Sequence, residues 1–201
     1  LRGSPPPTAP ALPNHIAVED LSNVDILLPV PTEMLLSTDP KAHQEATGEL
    51  IEQIEVRWPD DHRRAFLSAV APHALVSARE NCVPPSVTLA QAILESGWGR
   101  SKLAKRHNNL FGMKSGSRGG GVKLLTREVT EGKSATQRAR FRTYEEWDQS
   151  IADHGQLLAE DPRYAQAREK WEHWPLFLQT LAPIYATDPK YIARISSLVD
   201  D

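Results

Sequence analysis

The segment from residue 84 to residue 99 constrains this chain most, because it predicts a buried helix with a single acidic side chain at its end. Pro84-Pro85 favours the backbone angles that open a helix. The residues that follow make this helix apolar on nearly every side: Val87, Leu89, Ala90, Ala92, Ile93 and Leu94. Thr88, Gln91 and Glu95 are spaced three and four apart and form its one polar stripe. We therefore expect a buried helix whose polar stripe faces a cleft.

Glu95 should lie in the last turn of this helix, because Gly97 and Gly99 end it. There the negative end of the helix dipole disfavours an ionised carboxylate, and the neighbouring Trp98 would exclude water. The expected result is a raised pKa for Glu95. A carboxyl group that stays protonated near neutral pH can serve as a general acid. The alternative is an ordinary solvated glutamate beside a Ser-Gly helix end, and the pattern alone leaves both open.

The rest of the chain predicts further helices and one small hairpin. A chain of 201 residues with 40% apolar residues is long enough to build a proper core. Helices are predicted at 41–57, 61–80, 101–106 and 162–171, behind a capping box at 143–146, from Pro175, and from Asp188-Pro189. Alternating apolar and polar residues at 122–129 and 139–142, after a glycine-rich stretch, predict the hairpin. The predicted fold class is α+β, a mostly helical body with an inserted β-hairpin lobe flanking a cleft.

The N-terminal part of the chain has a different composition. Residues 1–13 contain five prolines and predict a disordered or polyproline linker. Between residues 16 and 39, short apolar pieces are interrupted by proline, which predicts an arm. We expect the arm to pack on the body through side chains such as Leu27, Leu28, Leu35 and Leu36. The chain is therefore divided into a linker and arm at 1–60 and a main domain at 61–201.

Positive charge is concentrated in one segment of an acidic chain. Residues 95–145 contain twelve Lys or Arg and four Glu, a balance of +8, although the whole chain carries a net charge of −3. Such a field favours a polyanionic partner, either nucleic acid or a glycan that carries carboxylates. Aromatic residues are not interleaved among these cations, so we do not expect nucleic acid. An ordinary solvated surface remains the alternative.

Several other classes of protein find no support in the sequence. Cys82 is the single cysteine, which excludes an internal disulfide framework, and the seven histidines show no metal-ligand spacing. We expect neither a metal nor a cofactor. No apolar run is long enough to span a bilayer and no signal-like segment opens the chain, although export remains possible because the chain starts at Leu1.

Three strings of residues occur in order: Ala-Gln-Ala-Ile-Leu-Glu-Ser-Gly-Trp-Gly at 90–99, Asn-Asn-Leu-Phe-Gly-Met-Lys at 108–114, and Tyr-Ala-Thr-Asp-Pro-Lys-Tyr at 185–191. With these strings the chain resembles the glucosaminidase family of bacterial cell-wall hydrolases over about residues 62–200. The resemblance implies a lysozyme-like fold and an exported, monomeric endo-β-N-acetylglucosaminidase. Its partner would be the glycan strands of peptidoglycan, cut at the β-1,4 bond after N-acetylglucosamine. Residues 61–201 would then be the catalytic domain.

The resemblance also implies roles for particular residues. Glu95 matches the family's catalytic acid. The second carboxylate usually lies in a Thr-x-Glu-Tyr setting, which Thr126-Arg127-Glu128-Val129 matches except for Val129, so Glu128 is the candidate and Glu131 the alternate. Cleavage of a glycosidic bond needs both an acid on the leaving oxygen and a second carboxylate near the reacting carbon.

The remaining candidates are predicted to bind substrate. Tyr185 matches the family's cleft tyrosine, while Tyr191 fits a core position at least as well. Asn108, Asn109 and Phe111 resemble the sugar-facing loop, although Asn-Asn also suits a turn. Trp98 is a candidate both for a core wall and for a sugar platform.

Three competing functions stay open. A lytic transglycosylase would use one acid on a similar fold, a muramidase would cut the other glycosidic bond, and a non-catalytic module would only bind the cell wall. The sequence leaves the stereochemical outcome and the peptide preference open.

Overall fold

The computed structural model describes residues 39–57, 61–116, 120–130 and 133–199. The helices in these ranges are α1 (Pro40–Arg57), α2 (Asp61–Asn81), α3 (Pro85–Ser96), α4 (Lys102–His107), α5 (Trp147–Glu160), α6 (Ala165–Arg168), α7 (Trp174–Tyr185) and α8 (Tyr191–Val199). A 3-10 turn spans Pro162–Tyr164, and the strands are β1 (Val122–Thr130) and β2 (Lys133–Phe141). The predicted α+β class, mostly helical with one inserted hairpin, is confirmed.

Two predictions at helix ends are wrong. The capping box at Thr143 does not form, because α5 begins later, with Glu146 at its N-cap and no side-chain cap. The backbone N–H of Glu145 instead donates to Oε1 of Gln149 at 3.0 Å. The single helix predicted at 162–171 is a 3-10 turn followed by the four residues of α6.

The core forms where α3 lies among α2, α7 and α8, and where α5 crosses α2. Fully buried side chains from these helices fill it, among them Phe66, Leu67, Leu75, Leu89, Ile93, Ile151 and Phe177. Gly155 of α5 marks the close approach to α2. A Cβ atom there would lie 2.2 Å from Oγ of Ser77 and 2.7 Å from Nδ2 of Asn81, well inside van der Waals contact. The backbone of α5 at Gly155 is therefore packed directly against side chains of α2.

Helix α1 covers one side of α2. Ala46, Leu50 and Ile54 form its buried face. The other contacts predicted for the arm, through Leu27 to Leu36, lie outside the described residues. The boundary at residue 60 also falls there, so the division into arm and domain stays a prediction.

The hairpin is joined to the body at its base. Its antiparallel register runs from the pair Val122–Phe141 to the pair Thr130–Lys133. Phe141 is only 3% exposed, and the N–H of Ser115 donates to the carbonyl of Arg140 at 2.9 Å. Further along the strand, Leu125 is 68% exposed. The lobe thus buries apolar surface at Phe141, where it joins the body, while Leu125 is exposed.

Among the described residues, the helices fall short of the length and apolar character needed to cross a bilayer.

Candidate active site

Helix α3 places Glu95 at the edge of the core. Pro84 is its N-cap, Pro85 its first residue, and ten of its twelve residues are buried. Gly97 ends the helix in the left-handed conformation at φ 56°, with its N–H bonded to the carbonyl of Ile93. A residue with a side chain would be strained there, so this glycine fixes where the helix stops. Glu95 sits half-buried in the last turn, as predicted.

The rest of the predicted polar stripe does not face a cleft. Thr88 is fully buried, and its hydroxyl donates to the carbonyl of Pro84 at 3.4 Å. Gln91 is also fully buried, and its Nε2 donates to the phenol oxygen of Tyr191 at 2.8 Å. The prediction fails for Gln91 because Tyr191 of α8, a hundred positions away in sequence, binds it, and for Thr88 because the residue is buried with its hydroxyl bonded to the N-cap carbonyl. Glu95 is the member of the stripe that reaches the edge of the helix packing.

Glu95 adjoins a cluster of buried tyrosines. The ring centroids of Tyr185 and Tyr191 lie 5.9 Å apart, and those of Tyr164 and Tyr185 lie 6.3 Å apart. Burial raises the pKa of Tyr185 well above its usual value, and the negative charge of Glu95 adds to that shift. Tyr191 behaves alike, although the hydrogen bond from Gln91 opposes the rise in its pKa. These phenols therefore stay neutral and can act as hydrogen-bond donors.

The electrostatics of Glu95 agree with the sequence prediction. Burial raises the pKa of the Glu95 carboxyl to about 8, while the positive charge of Arg194 on α8 pulls it down. The cause is the general loss of water around the carboxyl, because an ionised group is poorly stabilised there. At neutral pH the carboxyl is mostly protonated, which is the state that a general acid needs.

His154 of α5 packs against Tyr185 of the tyrosine cluster. It was not identified from the sequence as part of the site. Its ring stacks on Phe111, with centroids 4.0 Å apart and planes 9° from parallel, and meets Tyr185 edge-on at 5.9 Å. Both ring nitrogens are buried without a hydrogen-bond partner in the structure. Burial lowers the pKa of His154 to about 3, against the opposing charge of Asp153, so the imidazole is neutral. No local signal in the sequence pairs it with Tyr185.

The two asparagines that were predicted to face the sugar bind backbone groups in this structure. Asn108 ends α4 at φ 50°, and its Nδ2 donates to the carbonyls of Tyr144 and Glu145. Asn109 is 1% exposed; its Nδ2 donates to the carbonyls of Met113 and Arg142, and its Oδ1 accepts the Met113 N–H. The amide of Asn109 is thus committed to backbone groups. Its contact with substrate, like that of Asn108, stays a prediction.

Trp98 forms a wall of the core. It has φ 58°, is 4% exposed, and meets the ring of Phe66 edge-on at 5.9 Å. The guanidinium of Arg63 lies 5.0 Å from its ring centre. A second role for Trp98 as a sugar platform stays a prediction.

The second predicted carboxylate lies on the hairpin. Glu128 is in β1, paired with Ala135 of β2. Its side chain is not among those that the structure describes, and the alternate candidate, Glu131, lies outside the described residues. The role of Glu128 as the second carboxylate therefore stays a prediction.

The base of the hairpin is tied to α5 by a polar cluster. Asp153 accepts hydrogen bonds from Nη1 of Arg142 and from the hydroxyl of Tyr144. Both Arg142 and Asp153 are largely shielded from solvent, with 23% and 20% of their side chains exposed. A depression of about 240 Å³ beside this cluster is lined by Arg142, Asp153, Gln156, Leu157, Glu160 and Asp161. None of the predicted site residues lines it.

Within the part of the chain that the structure describes, no three His, Cys, Asp or Glu side chains come together as a metal site would need.

A family model for mannosyl-glycoprotein endo-beta-N-acetylglucosaminidase matches residues 71–201, more than half of the chain. The chain belongs to the glucosaminidase family. This membership confirms the family predicted from the three sequence strings, and with it a glycoside hydrolase.

Curated relatives of this glucosaminidase domain support the family assignment. Exo-glucosaminidase LytG of Bacillus subtilis is 39% identical over 147 residues, which cover 70% of this chain and 51% of LytG. Peptidoglycan hydrolase FlgJ of Escherichia coli K12 is 29% identical over 181 residues, which cover 84% of this chain and 57% of FlgJ. The chain thus spans about half the length of these relatives.

Solved structures show the same fold. The catalytic domain of the autolysin Auto from Listeria monocytogenes superposes with a TM-score of 0.62 at 26% identity, covering 76% of this chain and 92% of that one. A glycoside hydrolase domain of FlgJ from Salmonella typhimurium gives 0.55 at 30% identity, covering 70% and 96%. The lysozyme-like fold expected of a glucosaminidase is confirmed.

Proposed function

We propose that this domain hydrolyses the β-1,4 glycosidic bond after N-acetylglucosamine in peptidoglycan, as an endo-β-N-acetylglucosaminidase. One observation carries the proposal: in a chain of the glucosaminidase family, the Glu95 carboxyl ends a buried helix and keeps its proton near neutral pH. A group in that state can protonate the oxygen of a leaving sugar. The names of the relatives support the substrate, since FlgJ is a peptidoglycan hydrolase and LytG an exo-glucosaminidase.

In the proposed reaction, Glu95 donates its proton to the glycosidic oxygen as the bond from that oxygen to the anomeric carbon breaks. Positive charge builds up on the anomeric carbon and its ring oxygen, and a second carboxylate stabilises it or activates water. Water completes the reaction by adding hydroxide to the anomeric carbon and releasing a proton. We assign the second carboxylate to Glu128.

The position of Glu128 on the hairpin suggests how it would reach the bond. Glu128 follows the base residue Val122 by six positions along β1. At ~3.3 Å per residue, this puts it about 20 Å from the base, so a small rotation at the base displaces Glu128 by several ångströms. Closure of the lobe on substrate would set the working distance between the carboxyls. About 5–5.5 Å would give retention of configuration, and about 6.5–9.5 Å inversion.

Tyr185 is proposed to bind the sugar beside Glu95, because its neutral phenol can donate a hydrogen bond there. Tyr191, Phe111, Trp98, Asn108 and Asn109 are proposed as supporting residues of the substrate site. The first three and Asn109 are buried and Asn108 is half-buried, which suits shaping of the cleft more than direct contact. Since peptidoglycan lies outside the cytoplasm, we propose that the protein acts there, as a monomer.

The proposal is tested by digesting purified sacculi and identifying the released muropeptides by mass spectrometry. Reducing N-acetylglucosamine ends are expected. Reducing N-acetylmuramic acid would indicate a muramidase, and anhydro-muramic ends a lytic transglycosylase. Glu95→Gln is the matched control, since it keeps the shape of the side chain and removes its acidity. Retention on sacculi without release of fragments by the wild-type protein would indicate a binding module.

A further inference from the structure

Near its base, the hairpin has two faces of different character. Paired positions of antiparallel strands share a face and successive positions alternate, so the register divides these residues into two sets. One set is buried or half-buried: Val122, Leu124, Ala139 and Phe141. The other set is exposed and forms what we call the outer face: Lys123, Leu125, Arg138 and Arg140. The hairpin therefore turns an apolar face inward and presents a cationic face to solvent.

The outer face carries three positive charges around one leucine. Lys123 lies opposite Arg140, and Leu125 lies opposite Arg138. Paired side chains of a sheet are about 5 Å apart and successive residues of one face about 7 Å apart, so the four form one continuous patch. Among the side chains that the structure describes, none lies in an ion pair with these three cations. Their charge is therefore available to an anionic partner.

Arg140 is held in place without losing its charge. Its Nη1 donates to the carbonyls of Gly120 and Gly121 at 3.2 and 3.3 Å, and both acceptors are neutral. Gly121 has φ 76°, and a Cβ atom there would lie 2.0 Å from the carbonyl oxygen of Phe141. Only glycine fits so close to β2, which fixes the backbone to which Arg140 is bonded. A guanidinium has five N–H donors, so others remain for a carboxylate.

The leucine narrows the choice of anion. Leu125 is 68% exposed, the largest fraction for a large apolar side chain among the described residues. A carboxylate attached to small apolar groups would contact both the cations and the leucine, whereas a phosphate polymer would leave the leucine uncovered. The peptide stems of peptidoglycan combine carboxylates with apolar side chains. They therefore match the outer face in both charge and polarity.

We propose that the outer face of the hairpin binds the peptide stems of peptidoglycan through their carboxylates, outside the cleft in which the glycan strand is cut. The inference rests on the proposed function for its substrate, and adds a second contact that recognises peptide instead of sugar. This contact holds the domain on the sacculus while the cleft acts on a strand. Retention on sacculi therefore depends on the outer face, on the stem carboxylates and on salt, which screens exposed charges.

The experiment measures binding to purified sacculi freed of phosphate polymers, with Glu95→Gln as the parent so that the sacculi are not digested. Adding Lys123→Gln and Arg138→Gln together is expected to raise the dissociation constant about threefold to tenfold and to weaken its dependence on salt. The matched control adds Lys102→Gln and Arg106→Gln, which remove the same charges from exposed positions of α4 in the same basic segment. The control should bind like the parent.

A second arm changes the partner instead of the protein. Sacculi whose carboxylates have been converted to amides should bind the parent as weakly as untreated sacculi bind the hairpin variant. Equal losses in the hairpin and α4 variants would overturn the inference, because they would indicate a general field. Binding that survives amidation, or that appears only on walls still carrying phosphate polymers, would also overturn it.

Digestion of sacculi by the wild-type protein decides the proposed function separately. A wild-type protein that is retained through the outer face but releases no fragments would refute the proposed hydrolase and leave this inference standing. Unchanged binding of the hairpin variant would refute the inference even where fragments are released.

Discussion

The two proposed carboxyl groups are held by very different parts of the molecule. Glu95 ends a helix whose neighbours, α2, α7 and α8, contact it from several sides, so its position and its protonation follow from the packed core. Glu128 lies on a two-stranded hairpin tied to the body by Phe141 and by the cluster around Asp153. The packed body therefore fixes the position of Glu95, whereas in our proposal the working position of Glu128 depends on closure of the lobe.

The largest expected loss of activity follows from substitution of Glu95, the carboxyl group held by the helical body. Glu95→Gln should lower the rate of muropeptide release about a hundredfold to ten-thousandfold, the usual loss when a general acid is removed. Circular dichroism should show an intact fold, because Gln is close to Glu in size and the carboxyl is already mostly neutral. Release within a fewfold of wild type would show that another residue is the acid.

A smaller loss is expected on the lobe side. Glu128→Gln should lower the rate of release about tenfold to a hundredfold, because in the proposed reaction the lobe must first close to bring this group to the reacting carbon. Glu131→Gln is the matched control, three residues further along the hairpin, and should change the rate little. If the two variants exchange their effects, the second carboxylate is Glu131.

The base of the hairpin provides the next test. Asp153→Asn should weaken its bonds to Arg142 and Tyr144 and lower the free energy of unfolding by about 1–3 kcal/mol, since a half-buried cation loses its partner. Hydrogen exchange should speed up in β1 and β2 but remain slow in α3. Tyr144→Phe removes one hydroxyl and should cost less. Equal acceleration in α3 would mean that lobe and body open together.

The dependence of stability on pH separates the protonation of Glu95 from its packing. Glu95 has a folded-state pKa of about 8, above its ordinary value of 4.5, so its stabilising contribution is full below about pH 4.5 and lost as pH rises through 8. Glu95→Gln cannot ionise. Denaturant titrations should therefore show this variant gaining stability relative to wild type between pH 5 and pH 8.5, by on the order of 4 kcal/mol. A constant difference across that range would show that the carboxyl titrates normally.

Local signals in the sequence predicted where the helices of the body begin and end better than they predicted the contacts between those helices. Pro85 and Gly97 mark the two ends of α3 correctly, because both act through their own backbone angles. The fate of Gln91 was not predictable in this way, since its partner Tyr191 is a hundred residues away. The stacking of His154 on Phe111 is also a tertiary contact. The failed capping box at Thr143 shows the reverse case, in which a local pattern gave way because residues 144 and 145 are bound by Asn108.

Gly155 lies beside the residues through which α5 contacts both the hairpin base and the tyrosine cluster. The two residues before it, Asp153 and His154, reach the hairpin base and Tyr185, respectively. A methyl group at position 155 would meet Oγ of Ser77 and Nδ2 of Asn81, so both side chains would have to move to admit alanine. We therefore expect natural variation at this position to be narrower than at its exposed neighbour Gln156.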